Sequence, residues 1–302
     1  MTQYFVAGLP VLLLFSVGFL LNKINFFKDN TIVELKNLVL YVTLPTLLFT
    51  TFLNAKINAS EFVIPIIIII FCLVVLFIGF AIKKIFKIES PYFPFLIGGY
   101  ELGMYGYAVF IALYGQHNLW ALSFLDIGHT LFIFAFFLTI YQHKHHGSQS
   151  PLQIVKTIFL SPLIIAIFLG MAFANIPALV GKFPDVLNSV VVTLAAATVP
   201  LIGIAIGYQL KIDKSNLKMA LVTIGIRKVV NFSAALLLLA IYPFEPIYQK
   251  AILTLALTPP VFLISIIAAK DEPRHVNYIN TTISIDSVLS LFLMIAVAMV
   301  YR

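Results

Sequence analysis

Charged side chains are scarce in this chain: they make up 10% of its 302 residues, whereas hydrophobic residues make up 61%. A soluble domain of this length has too little interior to hide that much apolar surface, so the solvent must be lipid. At about 20 residues per crossing, the chain is long enough for roughly ten membrane spans joined by short loops. The net charge of +7 comes from basic residues in loops, which indicates membrane orientation rather than nucleic-acid binding.

The chain also has a single cysteine and lacks three common enzyme motifs. Cys72 is the single cysteine and lies in an apolar run, which excludes an internal disulfide. The sequence contains no H-E-x-x-H, G-x-S-x-G or Walker G-x-x-x-x-G-K-[ST] pattern. We therefore expect no enzyme, no catalytic or metal-binding residue and no cofactor. Any transport would then be driven by a gradient, with H+ or Na+ as the coupling ion.

Ten apolar segments predict an all-α integral membrane fold of ten transmembrane helices. Residues 1–142 would form a first five-helix repeat and 153–302 a second one, joined by a cytoplasmic linker at 143–152. His143, His145 and His146 in this linker could bind a metal, but without further ligands nearby we interpret them as a solvated loop. The expected spans 1 to 10 are about 4–22, 31–54, 62–83, 91–114, 118–142, 153–175, 186–209, 217–242, 247–269 and 277–301.

Lysine and arginine are distributed unevenly between the two sides of this expected bundle. The loops after odd-numbered spans hold 13 of the 19 basic residues, and the opposite side holds four. Because basic loops stay in the cytoplasm, we expect a multi-pass protein of the plasma membrane with both termini outside. Each repeat has an odd number of spans, so the second would enter from the opposite side and the repeats would be inverted.

Prolines and glycines recur at matching places in the two halves. Pro10 and Gly18 of span 1 return as Pro162 and Gly170 of span 6, 152 residues later. Paired interruptions in an internally repeated membrane chain are typical of secondary transporters. The prolines expected to interrupt spans 2 and 7 are Pro45 and Pro200.

Spans 4 and 9 are predicted to be broken near the middle of the membrane. Span 4 is interrupted around Gly103 and Gly106, in a stretch where Gly98, Gly99, Gly103 and Gly106 each lower helix propensity by about 1 kcal/mol relative to alanine and where Glu101 also stands. Pro259 and Pro260 in span 9 each lack a backbone donor. Two opposed breaks would place half-helix N-termini at the midplane, where their positive ends favour an anion. Ordinary kinks and close glycine packing are the alternative.

Six features in order resemble the auxin efflux carrier family, which includes plant PIN proteins and bacterial permeases for small carboxylates. The resemblance covers almost the whole chain and is to the bacterial permease type. It implies two inverted five-helix repeats, crossing broken helices 4 and 9, a scaffold part, a transport part and a homodimer, in an architecture similar to bile-acid symporters and NhaA-type antiporters. The features are VTLPTLLFTTF in span 2, the paired glycines and LYG of span 4, SPLIIAIFLG in span 6, ATVPLIGIAIG in span 7, Arg227 in span 8 and LTPP in span 9.

Three positions depart from the pattern of that family. Glu101 stands where the family often has asparagine, Ala108 stands where proline often follows the glycine, and Leu263 stands where span 9 often has asparagine. The resemblance therefore does not imply a particular substrate or coupling ion.

The expected substrate site lies where the two breaks meet, near residues 103–108 and 258–261. A substrate carboxylate would meet half-helix N-termini there, together with Arg227, whose planar fork can bond both oxygens. Asn231 follows on the same helical face and could contact substrate or satisfy the arginine. Lys228 faces elsewhere and is expected to snorkel. The substrate-binding candidates are Gly103, Tyr105, Gly106, Tyr107, Thr258, Pro259, Pro260, Val261, Arg227 and Asn231.

Four ionisable residues at membrane depth are candidates for ion coupling, because charges in the bilayer are costly unless they are paired or functional. Glu101 could carry a proton, ligate a cation or pair with a nearby cation. Asp126 and His129 share a helical face in span 5 and could relay protons, bind a cation or form a local polar pair. Asp286 could join an ion site or pair with Arg227.

These features favour a secondary transporter that works by alternating access, with a transport part moving against a scaffold. Its substrate would be a small organic anion such as malate, malonate or an auxin-like weak acid. A gated channel or a ligand-sensing membrane protein on the same scaffold is the alternative. The expected partners are the substrate anion, the lipid bilayer and a second copy of the chain.

Overall fold

The computed structural model describes residues 2–53, 55, 59–145, 156, 160–175 and 185–301. This part of the chain contains helices and no strand, which confirms the all-α prediction for it. Eight of its helical segments are long and apolar enough to cross a membrane, so the protein is a multi-pass membrane protein. Residues 146–152 of the predicted linker lie outside the described residues, as does His146.

The described α-helices, in chain order, are connected by short loops and by three π-helical stretches. The π-helical stretches are Val39–Thr43, Leu102–Gly106 and Phe132–Phe137. The α-helices are α1 (Thr2–Lys23), α2 (Asp29–Leu38), α3 (Leu44–Leu53), α4 (Val63–Ile85), α5 (Phe93–Gly98), α6 (Tyr107–Tyr114), α7 (Leu119–Leu131), α8 (Leu138–His145), α9 (Pro162–Asn175), α10 (Asp185–Gln209), α11 (Leu217–Ile241), α12 (Pro246–Leu257), α13 (Leu263–Asp271) and α14 (Val276–Val300).

The eight spanning segments correspond to predicted spans 1 to 5, 7, 8 and 10. Span 6 is described only as α9, which has 14 residues, and the rest of it lies outside the described residues. Span 9 is divided into α12 and α13, of 12 and 9 residues, and neither is long enough to cross a membrane alone. The total of ten spans and the inverted arrangement of the repeats therefore stay predictions.

The prolines of spans 2 and 7 do not break their helices. Pro200 lies inside the continuous helix α10, so the predicted interruption of span 7 is wrong. In span 2 the π-helical stretch comes just before Pro45. Because proline has no N–H for the carbonyl four residues earlier, a wider turn absorbs the missing bond instead of a break. Prolines are tolerated in this way inside membrane helices, since neighbouring groups satisfy the freed carbonyl.

The helices pack into two groups. In the first group α1 packs along α10, and α9 packs along α3, which joins spans 1, 2, 6 and 7. In the second group α4 packs against α5 and α7, and α11 packs against α12 and α14. The two broken spans, 4 and 9, belong to this second group.

Glycines permit the close packing of the first group. A Cβ atom on Gly18 would lie 2.2 Å from the carbonyl oxygen of Ile204 in α10. A Cβ atom on Gly170 would lie 2.7 Å from the carbonyl oxygen of Phe49 in α3. The two glycines that recur 152 residues apart therefore both allow a close approach to a neighbouring helix backbone, in two different helix pairs. Small residues of this kind let membrane helices approach one another closely.

We expect Gly18→Ala to destabilise the protein, because the added methyl group must push α1 away from the α10 backbone. Overpacking of this kind costs about 1–3 kcal/mol. The measurement is the midpoint of thermal unfolding in detergent. Gly225→Ala is the matched control: its Cβ would meet nothing within 4 Å, so its midpoint should stay equal or rise. Equal midpoints for both variants would show that α1 and α10 do not need this glycine.

Candidate functional site

The two helix breaks lie at 99–101, after α5, and at 258–261, between α12 and α13. The predicted break lay in the glycine-rich stretch from Gly98 to Gly106 and contained Glu101, and the open residues 99–101 fall within it. Gly103 and Gly106, around which it was centred, lie in the π-helical stretch Leu102–Gly106. The break of span 4 is therefore present, a few residues before its predicted centre.

The two breaks are in direct contact. The Glu101 N–H donates to the carbonyl of Pro259 at 3.0 Å, and the Phe262 N–H donates to Glu101 Oε2 at 2.8 Å. A Cβ atom on Gly99 would lie 2.8 Å from Val261 Cγ1, so only glycine permits this approach. Spans 4 and 9 therefore meet at their breaks, and we call this point the crossing.

Arg227 is fully buried and bonds the carbonyl ends of both half-helices. Its Nη1 donates to the carbonyls of Leu96 and Ile97 in α5, at 2.5 and 2.6 Å. Its Nη2 donates to the carbonyl of Thr258, just after α12, at 3.0 Å. Helix C-termini carry partial negative charge, so the guanidinium satisfies both ends at once.

A second cation, Lys228, and one carboxylate, Asp286, lie beside Arg227. The Lys228 ammonium donates to the carbonyl of Leu257 and to Ser290 Oγ, both at 2.8 Å. Asp286 lies 2.8 Å from Lys228 Nζ and 3.3 Å from Arg227 Nε. The Lys228 side chain is only 11% exposed, so the prediction that it snorkels is wrong: the carboxylate and the carbonyl hold it inside. For Asp286, the structure shows the pairing with Arg227.

Asn231 and Tyr100 extend this buried network. The Asn231 amide donates to the carbonyls of Ile97 at 3.1 Å and Arg227 at 2.8 Å, and its oxygen accepts from the Tyr100 hydroxyl. The Tyr100 ring lies 5.1 Å from the Arg227 guanidinium carbon. Arg227 and Asn231 share a face, as predicted, and both are bonded to protein groups.

A cavity of about 560 Å³ lies beside the crossing, between the two helix groups. Glu101, Gly103 and Val261 line it at the crossing. Asn22 and Lys211 also line it, and they lie at the ends of α1 and α10. The cavity therefore extends from the helix breaks to the side of the loops that follow spans 1 and 7.

Helices α1, α6, α12 and α14 pack tightly at the end of the bundle opposite the cavity mouth. The Tyr4 and Tyr114 rings are 6.4 Å apart, and Lys250 Nζ lies 5.5 Å from the Tyr114 ring centroid. A Cβ atom on Gly8 would lie 2.4 Å from Ile295 Cδ1. These contacts between α1, α6, α12 and α14 close the end of the bundle that lies away from the cavity.

Lys36 is a cation in the cavity wall, although it is one of the 13 basic residues assigned above to the loops after odd-numbered spans. It lies in α2 with Nζ 5.4 Å from the centroid of the Phe262 ring. It forms no hydrogen bond or ion pair with any described residue. One sequence feature indicates that Lys36 lies inside a span: it stands two turns from the start of α2, and between Leu35 and Leu40 only Lys36 and Asn37 are polar.

Asp126 and His129 form a pair that also lines the cavity. His129 Nδ1 lies 2.8 Å from Asp126 Oδ1, and the Tyr107 hydroxyl donates to Asp126 Oδ2 at 2.8 Å. The predicted local polar pair is thus present. His129 Nε2 is buried without a hydrogen-bond partner in the described part of the chain, so one nitrogen of this ring could still form a hydrogen bond.

Most of the other candidates are enclosed by protein rather than placed on the cavity. Gly103 and Val261 line the cavity, whereas the Tyr105 hydroxyl donates to the carbonyl of Ser287 in α14 at 2.6 Å. Of the substrate-binding candidates, those buried away from the cavity are Tyr105, Gly106, Tyr107, Thr258, Pro259, Pro260, Arg227 and Asn231.

Comparison with known proteins gives one finding that covers nearly the whole chain. A family model described as membrane transport protein matches residues 4–297. This family is the one that the motifs resembled, so that prediction is confirmed at the level of the family. No curated protein shows significant similarity to the chain.

Asp286→Asn should destabilise the protein by about 3–5 kcal/mol, because it leaves two buried cations without their carboxylate. Thermal or denaturant unfolding in detergent measures the loss. Glu272→Gln is the control, since Glu272 pairs with Arg274, whose side chain is 79% exposed. Such a surface pair contributes about 0–1 kcal/mol. Equal effects of the two substitutions would contradict the assignment of Asp286 as the counter-charge of the crossing.

Proposed function

The chain belongs to the membrane transport protein family, and on this premise we propose that it is a secondary transporter that moves a small organic anion by alternating access. The observation that carries the proposal is the cavity that reaches the crossing of two broken helices from one side. Broken helices at membrane depth are tolerated where they are buried in protein or line a polar cavity, and transporters bind substrates at such places.

Lys36 and the start of α13 give this cavity its preference for an anion. The Lys36 ammonium lacks an ion pair, and the N-terminal end of α13 carries partial positive charge. Ile32, Leu40 and Ile133 in the same wall would contact the apolar body of the substrate. A volume of about 560 Å³ is in the range of small-molecule sites and suits malate, malonate or an auxin-like weak acid.

The second helix group would act as the transport part and the first as the scaffold. Arg227, Lys228 and Asp286 would hold the two half-helices of spans 4 and 9 together while the group moves. Glu101, Asp126 and His129 line the cavity and would carry the coupling to H+ or Na+. We place the protein in the plasma membrane with both termini outside and expect a homodimer of the bacterial permease type. In that orientation the cavity faces the cytoplasm.

Lys36→Gln should lower the affinity for the transported anion at least tenfold, since it removes the cation of the cavity wall that lies nearest the start of α13 and keeps a similar shape. Uptake of radiolabelled malate, malonate and indole-3-acetate into proteoliposomes, with imposed H+ or Na+ gradients, measures this loss. Lys28→Gln is the control, because Lys28 is exposed and precedes α2 without lining the cavity. Equal transport by both variants would remove Lys36 from the site. Ohmic currents far above carrier turnover would replace the carrier by a channel.

Asn37→Cys should react with a membrane-impermeant maleimide only from the side of the loops after odd-numbered spans, because Asn37 is exposed and lines the cavity. Ser60→Cys is the control, since Ser60 is exposed at the opposite end of the bundle, where α4 begins. The native Cys72 is buried and should not react. We expect a transported anion to change the labelling rate of Asn37→Cys alone. Labelling of Asn37→Cys from both sides at equal rates would contradict a cavity that is open to one side only.

A further inference from the structure

The start of α13 forms part of the cavity wall, and its first amide already has an anionic partner. Phe262 and Leu263 line the cavity. The Phe262 N–H donates to Glu101 Oε2 at 2.8 Å, so the carboxylate of span 4 lies at the positive end of a nine-residue helix of span 9. Glu101 is 7% exposed and lines the same cavity. A side-chain carboxylate therefore occupies the place that an anionic substrate would take.

Two other polar groups in the cavity wall lack an ion pair or a hydrogen bond. Lys36 Nζ lies over the Phe262 ring and has no ion pair with a described residue. His129 is 5% exposed, and its Nε2 lacks a hydrogen-bond partner among the described residues. Both groups line the cavity that contains this helix N-terminus, so a cation without an ion pair is available to a second anion and the ring nitrogen to a second polar group.

We propose that Glu101 is a built-in competitor for the anion site: a substrate carboxylate binds by displacing the Glu101 carboxylate from the Phe262 N–H, and Glu101 then takes up a proton. This inference rests on the proposed function and names its coupling ion. The exchange needs only rotation of the Glu101 side chain, since its backbone N–H stays bonded to Pro259.

The proton follows from the surroundings of the displaced side chain. The groups that face Glu101 across the cavity are Lys36 from α2 and His129 with Asp126 from α7, and Lys211 at the end of α10 lines the same cavity. The arriving substrate carboxylate uses the Lys36 ammonium and the amide. A second carboxylate left in a buried site without these donors is far less costly when it is protonated. One proton, drawn from the cavity water, therefore binds with each substrate molecule.

Calorimetric titration of malonate into the purified protein tests this exchange. Titrations in sodium-free buffers of the same pH, chosen so that malonate is fully ionised and differing in ionisation enthalpy, give the number of protons bound per malonate. We expect about one proton for the wild type and near zero for Glu101→Gln, which keeps an oxygen acceptor for the amide but cannot bind a proton. Wild-type affinity should also fall up to tenfold per pH unit as pH rises, while the affinity of Glu101→Gln stays flat. Glu34→Gln, an exposed position of α2, is the control and should match the wild type.

Each outcome decides between the exchange and the wider proposal. If Glu101→Gln still takes up about one proton per malonate, or if the wild type takes up none, the exchange is overturned and the carrier proposal stands. If malonate, acetate and indole-3-acetate bind to neither the wild type nor Glu34→Gln, the proposed function fails as well. Glu101→Ala gives a second reading: with the competitor removed, acetate should bind more tightly than to the wild type. Weaker acetate binding to a folded Glu101→Ala protein would also overturn the exchange.

Discussion

A helix that breaks inside a membrane leaves backbone carbonyl and amide groups without partners, and hydrocarbon offers none. The crossing of spans 4 and 9 depends on how this chain meets that constraint. Arg227 and Lys228 bond the carbonyl ends of the half-helices, Glu101 bonds the amide at the start of α13, and the Asp286 carboxylate lies beside both cations. The fold therefore requires the charges buried at this depth, because they bond the backbone groups that the two breaks leave open.

The same arrangement decides which charges a solute in the cavity can reach. At the carbonyl ends the donors of Arg227 and Asn231 are bonded to protein groups, and neither residue lines the cavity. At the amide end the wall is open, and it carries Glu101, Lys36 and the His129 ring. One end of the crossing is thus sealed by cations and the other is exposed to the cavity. An anion arriving through the cavity meets the amide end first.

Local periodicity explains which features could be predicted from the sequence. The pairing of Asp126 with His129 and the shared face of Arg227 and Asn231 follow from helical spacing, and both are present. The spans followed from long apolar runs. The glycine-rich stretch around Glu101 indicated the first break, but its centre and its partner did not follow, because the Glu101 N–H bonds Pro259, a residue far away in the chain. Lys36 and Lys228 were misread for the same reason: whether a lysine reaches water, a cavity or a buried carboxylate depends on helices that are distant in sequence.

Glycines that recur in the two halves of the sequence make similar helix contacts, whereas the buried charges do not recur. Gly18 and Gly170, 152 residues apart, make equivalent backbone approaches in two helix pairs. The residue 152 positions before Arg227 is Val75, which is buried and apolar, and the break of span 9 at 258–261 holds no charged residue where that of span 4 holds Glu101. If both halves carried the same charges, both ends of the crossing would offer a solute the same chemistry. Because each charge is present in one half only, the carbonyl ends are closed by cations while a carboxylate faces the cavity at the amide end. The charge that lines the cavity at the crossing therefore comes from a position where the two halves of the sequence differ, while the recurring glycines lie in the helix packing around it.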